Sequence, residues 1–123
     1  MKIALKHHGQ IRVAKAYAKT IGPLRAKAME FGYALTVHGS IKRDIDLVAI
    51  PWTWKACGPA HLAEALRKET ERIIGFAVYG NDGPFPRKKP HGRKCWTIHF
   101  NGTYIDLSVM PRRFPWSLRH FKA

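Results

Sequence analysis

The chain reads as one α/β (α+β) domain with two main helices and a mixed or antiparallel sheet of about five strands. Three observations predict this. Apolar residues recur at steps of three and four over residues 14–31 and again over 62–73, the spacing of one helix face. Runs rich in β-branched and aromatic residues at 33–38, 44–50, 76–79, 95–100 and 103–109 have the length and composition of strands. Asn101-Gly102, between the last two runs, is the strongest short hairpin signal a sequence can carry.

The first helix places Ala14, Tyr17, Ile21, Leu24, Ala28 and Phe31 inward and Arg12, Lys15 and Lys19 on another face. Gly22-Pro23 interrupts it, which predicts a kink or two short helices sharing one face. Gly32 is a natural stop. Tyr33 to His38 follows as a strand, Gly39-Ser40 as a tight connection, and Asp44 to Ile50 as a second strand that Pro51 ends. Pro59 opens a second helix to about Arg72, with Leu62, Ala65, Leu66 and Ile73 inward and Gly75 past its end. Phe76 to Tyr79 is a third strand. Residues 80–94 hold three prolines, three glycines and five basic residues, and read as a mobile loop. A two-residue turn at Asn101-Gly102 then pairs Phe100 with Thr103, Ile98 with Ile105 and Thr97 with Asp106. That register puts Asp106 on one sheet face with Cys95, Thr97, His99, Tyr104 and Ser108.

The 123 residues form a single domain, 1–123, with its core over 10–110 and a basic tail over 111–123. An apolar fraction of 46% argues against wholesale disorder. No apolar run approaches the roughly 20 residues of a membrane span. The N-terminus lacks the apolar segment of a secretory signal. Cys57 and Cys95 form no ligand or disulfide pattern, so both are read as reduced core thiols of a cytoplasmic protein.

Charge is the next signal. Twenty-two Lys and Arg against eight Asp and Glu give a formal net charge of +14. Residues 1–29 carry seven of the basic residues and no acid. The segment with Arg87, Lys88, Lys89, Arg93 and Lys94 adds five, and the tail, with Arg112 and Arg113, adds four. Such a field attracts polyanions, nucleic acid foremost.

Against that background the acids stand out. Asp44 and Asp46 interrupt an apolar strand, Asp106 interrupts another, and Asp is depleted from strands and rarely buried unpaired. Residues two apart on a strand face the same side, so Asp44 and Asp46 present their carboxylates together. Like charges so close repel unless a cation intervenes, and Mg²⁺ (or Mn²⁺) suits hard oxygen ligands. The two Cα atoms lie roughly 6.6 Å apart along a strand, and a neighbouring strand lies about 4.8 Å away, so Asp106 is in reach if its strand is adjacent.

Gly39-Ser40 closing a strand, Asp44-Ile45-Asp46 on the next and Asp106 on a later one resemble the nucleotidyltransferase superfamily of the DNA polymerase beta type. The resemblance covers residues 33–110 and is closest to small phage-encoded members, which implies a nucleotidyltransferase-like fold and a bacterial host cell as the setting. It implies that Gly39 and Ser40, with Lys42 or Arg43, hold the phosphates of an NTP. It implies that Asp44 and Asp46 bind two Mg²⁺, and that Asp106 binds the catalytic one and helps deprotonate the acceptor hydroxyl. The chemistry would be transfer of a nucleoside monophosphate to a hydroxyl acceptor such as RNA. Arg87, Lys88, Lys89, Arg93, Lys94, Arg112 and Arg113 would guide that acceptor. One departure is plain: only Ile41, Lys42 and Arg43 separate Gly39-Ser40 from Asp44, where the family has a short helix.

That departure favours an alternative, a non-catalytic protein that grips nucleic acid on the same fold. A basic protein that binds a host protein is a further one. Residue by residue, plainer roles compete as well. Asp44 and Asp46 could pair with Arg43 or nearby lysines, and Asp106 with Thr97 or His99. His38 reads as a capped core histidine. Trp52 and Trp54 could stack a base, with at least one of them expected in the core. The stretch from Pro111 to Trp116 reads equally as a strand-binding edge or as a segment covering a sheet edge.

Overall fold

The computed structural model describes residues 2–39, 43–80 and 83–112, with side chains from residue 11 onward. Lys2–Glu30 forms one helix, α1, that continues through Gly22-Pro23. The expected break does not occur. Thr20 and Leu24, on either side of Pro23, are 1% exposed, and Ala28 is fully buried. Packing on both flanks outweighs a proline penalty of about 3 kcal/mol. The inward face runs through Val13, Ala16, Thr20, Leu24 and Ala28, while Ala14 is exposed, one position off the expected stripe.

Gly32 ends the helix with φ of +89°. β1 (Tyr33–Val37) and β2 (Ile45–Pro51) pair antiparallel, with Tyr33 opposite Pro51 and Val37 opposite Leu47. Asp44 lies one residue ahead of β2 rather than inside it. α2 (Pro59–Ile74) starts at its proline and is capped by Gly75, whose N–H donates to the Glu71 carbonyl at 2.7 Å. Leu62 and Leu66 are buried as expected, but Ala63, Glu69 and Thr70 complete the buried face, and Ala65 and Ile73 are half-buried.

The third strand is shorter than expected, β3 (Val78–Tyr79), and a further short strand, β4 (Arg87–Lys88), lies inside the segment read as a loop. β5 (Lys94–Phe100) and β6 (Thr103–Val109) form the expected hairpin with the expected register, including Thr97 opposite Asp106. Asn101 and Gly102 both take positive φ, 49° and 78°, which matches the right-handed twist of the flanking strands.

Among the described residues the result is an α+β fold: two α-helices and a six-stranded mixed sheet ordered β1-β2-β6-β5-β3, with β4 also on the outer edge of β5. β2 and β6 run parallel, and the other pairs are antiparallel. Both helices cover one sheet face, where Tyr33, Ile45, Leu47, Trp96, Ile98, Ile105, Leu107 and Val109 form the core with Leu24, Leu62 and Leu66. Among the described residues, the opposite face carries no helix and presents Asp46, Tyr104, Asp106, Thr97 and His99. Among the described residues, no helix is long and apolar enough to cross a membrane.

Candidate metal centre

The parallel pairing of β2 with β6 builds the site. Its register sets Asp46 opposite Asp106 on the face away from the helices, while the flanking Ile45, Leu47, Ile105 and Leu107 point into the core. Alternation along both strands thus anchors the carboxylates with apolar neighbours on either side. Asp44, at the mouth of β2, closes the group. One ligand oxygen from each of Asp44, Asp46 and Asp106 lies within 4.8 Å of the others, and all three residues are half-buried. Such a cluster can hold a metal ion. Carboxylate oxygens alone are the donor set of hard divalent cations rather than of zinc or copper.

The electrostatics agree with that fit. Burial pushes the Asp46 carboxyl above the usual carboxylate range, and the Asp44 charge, a hydrogen bond with Asp44 and the Asp106 charge push it further, with His38 opposing. Mutual repulsion of this kind is relieved by a cation. Burial, followed by the Asp44 and Asp106 charges, likewise raises the Tyr104 phenol.

The other acids among the described residues behave differently. Glu30, Glu64, Glu69 and Glu71 each pair with a lysine or arginine one helical turn away. In a chain with this excess of cations, the three aspartates are gathered on one another instead. Among the described residues, the ion pair at the triad is Arg87 Nη2 to Asp106 Oδ1, at 3.7 Å and half-exposed. Arg87 also donates to Thr97 Oγ1 at 3.1 Å, and Thr97 Oγ1 donates to Asp106 Oδ1 at 2.9 Å. The bond expected between Thr97 and Asp106 therefore forms, but it occupies one oxygen of one carboxylate. Arg43 is exposed and makes no ion pair to the aspartates among the described residues.

Two clefts flank the triad and share Asp106, Arg87 and Cys95. One, of about 360 Å³, runs past His38, Asp46, Lys89, Arg93 and Ser108 and is basic. The other, of about 380 Å³, is walled by Phe85, Trp96, His99 and Tyr104. Gly39 sits beside the centre with φ of +74°, and a Cβ there would lie 3.8 Å from Asp46 Oδ2. Ser40, Lys42 and Arg113 lie outside the described residues.

Several expectations change here. Arg87, Lys89 and Arg93 line the cleft beside the acidic centre. Lys88 and Lys94, in register with one another, line neither cleft. Arg112 stands apart from both, with Nη1 donating to the Ala56 carbonyl at 3.2 Å. His38 is exposed and borders Asp46 rather than sitting in the core, because its strand ends at Val37. Trp52 and Trp54 are 58% and 69% exposed, so neither closes the core, which Trp96 and Tyr33 already fill. Cys95 is buried and Cys57 half-buried, as their apolar character predicts. Sequence reasoning missed Arg87 as a triad neighbour, because two strand residues inside a stretch rich in proline and glycine leave no periodic signal.

Comparison of the chain with protein-family models, with curated proteins and with solved structures gave no match.

Proposed function

We propose that this chain is a minimal divalent-cation-dependent nucleotidyltransferase that moves a nucleoside monophosphate from an NTP to a hydroxyl acceptor and releases pyrophosphate. The observation that carries this reading is the convergence of Asp44, Asp46 and Asp106 within 4.8 Å on two strands in parallel register. The mixed α+β sheet and the order of Gly39, Asp44, Asp46 and Asp106 along it support the nucleotidyltransferase resemblance.

Asp44, Asp46 and Asp106 would hold Mg²⁺. When bound, Mg²⁺ supplies Lewis-acid stabilisation of charge on the attacking and leaving oxygens of the displacement. Asp106, whose Oδ1 is already bonded to Thr97, keeps its second oxygen to accept the proton of the acceptor hydroxyl. Lys89 and Arg93, on the rim of the basic cleft, offset the negative charge of the triphosphate. Gly39 leaves the backbone beside Asp46 open to a phosphate oxygen. These groups replace what the three-residue link from Ser40 to Asp44 is too short to supply.

A second reading, a binding protein without chemistry, is favoured by Arg87 lying 3.7 Å from Asp106, where its charge substitutes in part for a metal. Incubation with α-labelled NTPs, Mg²⁺ or Mn²⁺ and short RNA acceptors separates the two. The transferase reading expects label on the acceptor and release of pyrophosphate, with a fall of at least about a hundred-fold in Asp46→Asn. Absence of transfer with every NTP and acceptor leaves the binding protein.

A further inference from the structure

The sheet face opposite the helices does not end at the triad. Along β2, Asp46, Val48 and Ile50 alternate with buried Leu47 and Ala49, and the chain leaves the strand through Pro51 into Trp52 and Trp54. Six residues of extended chain separate Asp46 from Trp52, about 20 Å. Ile50 is 45% exposed, and Trp52 and Trp54, within four positions of it in the chain, are 58% and 69% exposed, so three large apolar side chains close in sequence are left in water.

The segment that carries the tryptophans is held in place. The Trp52 N–H donates to the Gly32 carbonyl at 3.1 Å, and the Ala56 N–H donates to the Thr53 carbonyl at 3.0 Å. The Lys55 N–H donates to Thr53 Oγ1 at 3.3 Å. Cations border the rings: Lys55 Nζ lies 5.4 Å from the centre of the Trp54 ring, and Arg112 is held at Ala56.

Charge selects the occupant. A second copy of a chain with net charge +14 is repelled from this face. A flexible polyanion that offers flat apolar faces meets both the cations and the rings, and unpaired bases on a phosphodiester chain are that chemistry.

We propose that this face binds a single-stranded nucleic acid, its bases stacked on Trp52 and Trp54 and its phosphates passing Lys55 and Arg112. On the transferase reading above, which this extends, the strand is the acceptor and β2 is the track that leads it to the triad. Duplexes are excluded, because their bases present no free faces to the rings.

The test is fluorescence anisotropy of a labelled oligouridylate of about twelve nucleotides with the full chain, in EDTA so that metal plays no part. The double variant Trp52→Ala/Trp54→Ala is expected to bind at least about ten-fold more weakly at unchanged thermal midpoint. Trp52→Phe/Trp54→Phe is expected to recover most of that loss. Lys55→Glu is expected to weaken binding and flatten its salt dependence. Phe76→Ala, which removes an exposed ring elsewhere, is expected to bind as the wild type does. Equal affinity of wild type and double variant overturns the proposal, as does equal competition by duplex and single strand. It is also overturned if the double variant instead dissolves a dimer in sedimentation, or loses only the binding of phosphatidylserine vesicles. Failure of the two readings is distinguishable. Tryptophan-dependent binding without any NMP transfer sinks the transferase and keeps the platform. Transfer with tryptophan-independent binding does the reverse.

Discussion

Asp46 and Asp106 occupy the same rung of the parallel β2–β6 pair, so two carboxylates from stretches 60 positions apart in sequence meet side by side on the sheet face opposite the two described helices. Like charges directly opposite one another in a sheet destabilise it, by a few tenths to about 1 kcal/mol. The arrangement is therefore a cost to the metal-free fold; the Asp46 carboxyl is raised first by burial and by Asp44, and the Asp106 charge adds to that rise.

From this follows the first prediction. Without metal, Asp46→Asn is expected to be at least as stable as the wild type, because one of three crowded charges is gone. With Mg²⁺ the order reverses. The wild type gains stability by mass action, about 2.7 kcal/mol at a hundred times the Kd, and the variant gains little. Thermal unfolding across a Mg²⁺ titration measures both. An equal rise in the two proteins would show that the ion binds elsewhere.

Arg87 supplies a second prediction. Its guanidinium lies 3.7 Å from Asp106 Oδ1, with both side chains more than a third exposed, so the pair stabilises the fold weakly. It nevertheless competes with a divalent ion for the same carboxylate. Arg87→Gln is expected to tighten Mg²⁺ binding by up to about five-fold. Looser Mg²⁺ binding in this variant would mean that Arg87 positions Asp106 rather than opposing the ion.

Much of this centre is legible in the sequence, for a reason that can be named. Strand alternation and a two-residue turn are local rules, and Asn101-Gly102 fixes the β5–β6 register without any tertiary knowledge. The faces of Thr97, Tyr104 and Asp106 follow from it. What the sequence does not contain is the β2–β6 pairing, since parallel neighbours are chosen by the crossover between them and not by any adjacent residues. The placement of Asp46 beside Asp106 required the resemblance to suggest it. Three other failures share one cause, tertiary packing overriding a local preference. Pro23 sits inside α1 because Thr20 and Leu24 are buried around it, β4 forms because β5 offers it an edge, and Trp52 and Trp54 stay outside a core that Trp96 and Tyr33 fill.

Glu64 gives a pH-dependent prediction away from the centre. It accepts hydrogen bonds from Arg67 Nε and Nη2 at 2.9 and 2.8 Å and from the Tyr79 hydroxyl at 2.8 Å, tying α2 to β3. The Arg67 bonds hold its carboxyl down at about 2, below its ordinary 4.5. A depressed carboxyl favours the ionised folded state, so its stabilisation is complete above the ordinary value and is lost as the pH falls towards the depressed one. Because its side chain is 40% exposed, solvent screening limits the contribution to about 1 kcal/mol. Urea unfolding is expected to place Glu64→Gln below the wild type by that amount at neutral pH, with the gap closing between about pH 5 and pH 2. A gap that stays constant with pH would assign the loss to packing instead of charge.

Two glycines of the first helix and its cap are expected to respond in opposite directions to the same substitution. Gly22 lies in the interior of α1, and a Cβ there meets nothing within 4 Å. Gly22→Ala adds no clash and restricts the unfolded chain, so it is expected to stabilise by about 1 kcal/mol. Gly32 has φ of +89°, and a Cβ there would lie 2.7 Å from the Ala56 Cα and 2.9 Å from the Thr53 methyl. Backbone cannot swing aside as a side-chain tip can, and the positive φ adds a penalty of its own. Gly32→Ala is expected to destabilise by about 3 kcal/mol. It should also loosen the turn that carries Trp52 and Trp54, because Gly32 accepts the Trp52 N–H and packs on Ala56. Urea midpoints measure the first effect, and faster amide exchange over residues 52–56 measures the second. Tolerance of alanine at residue 32 would mean that the contact between the end of α1 and this turn is not what holds the turn in place.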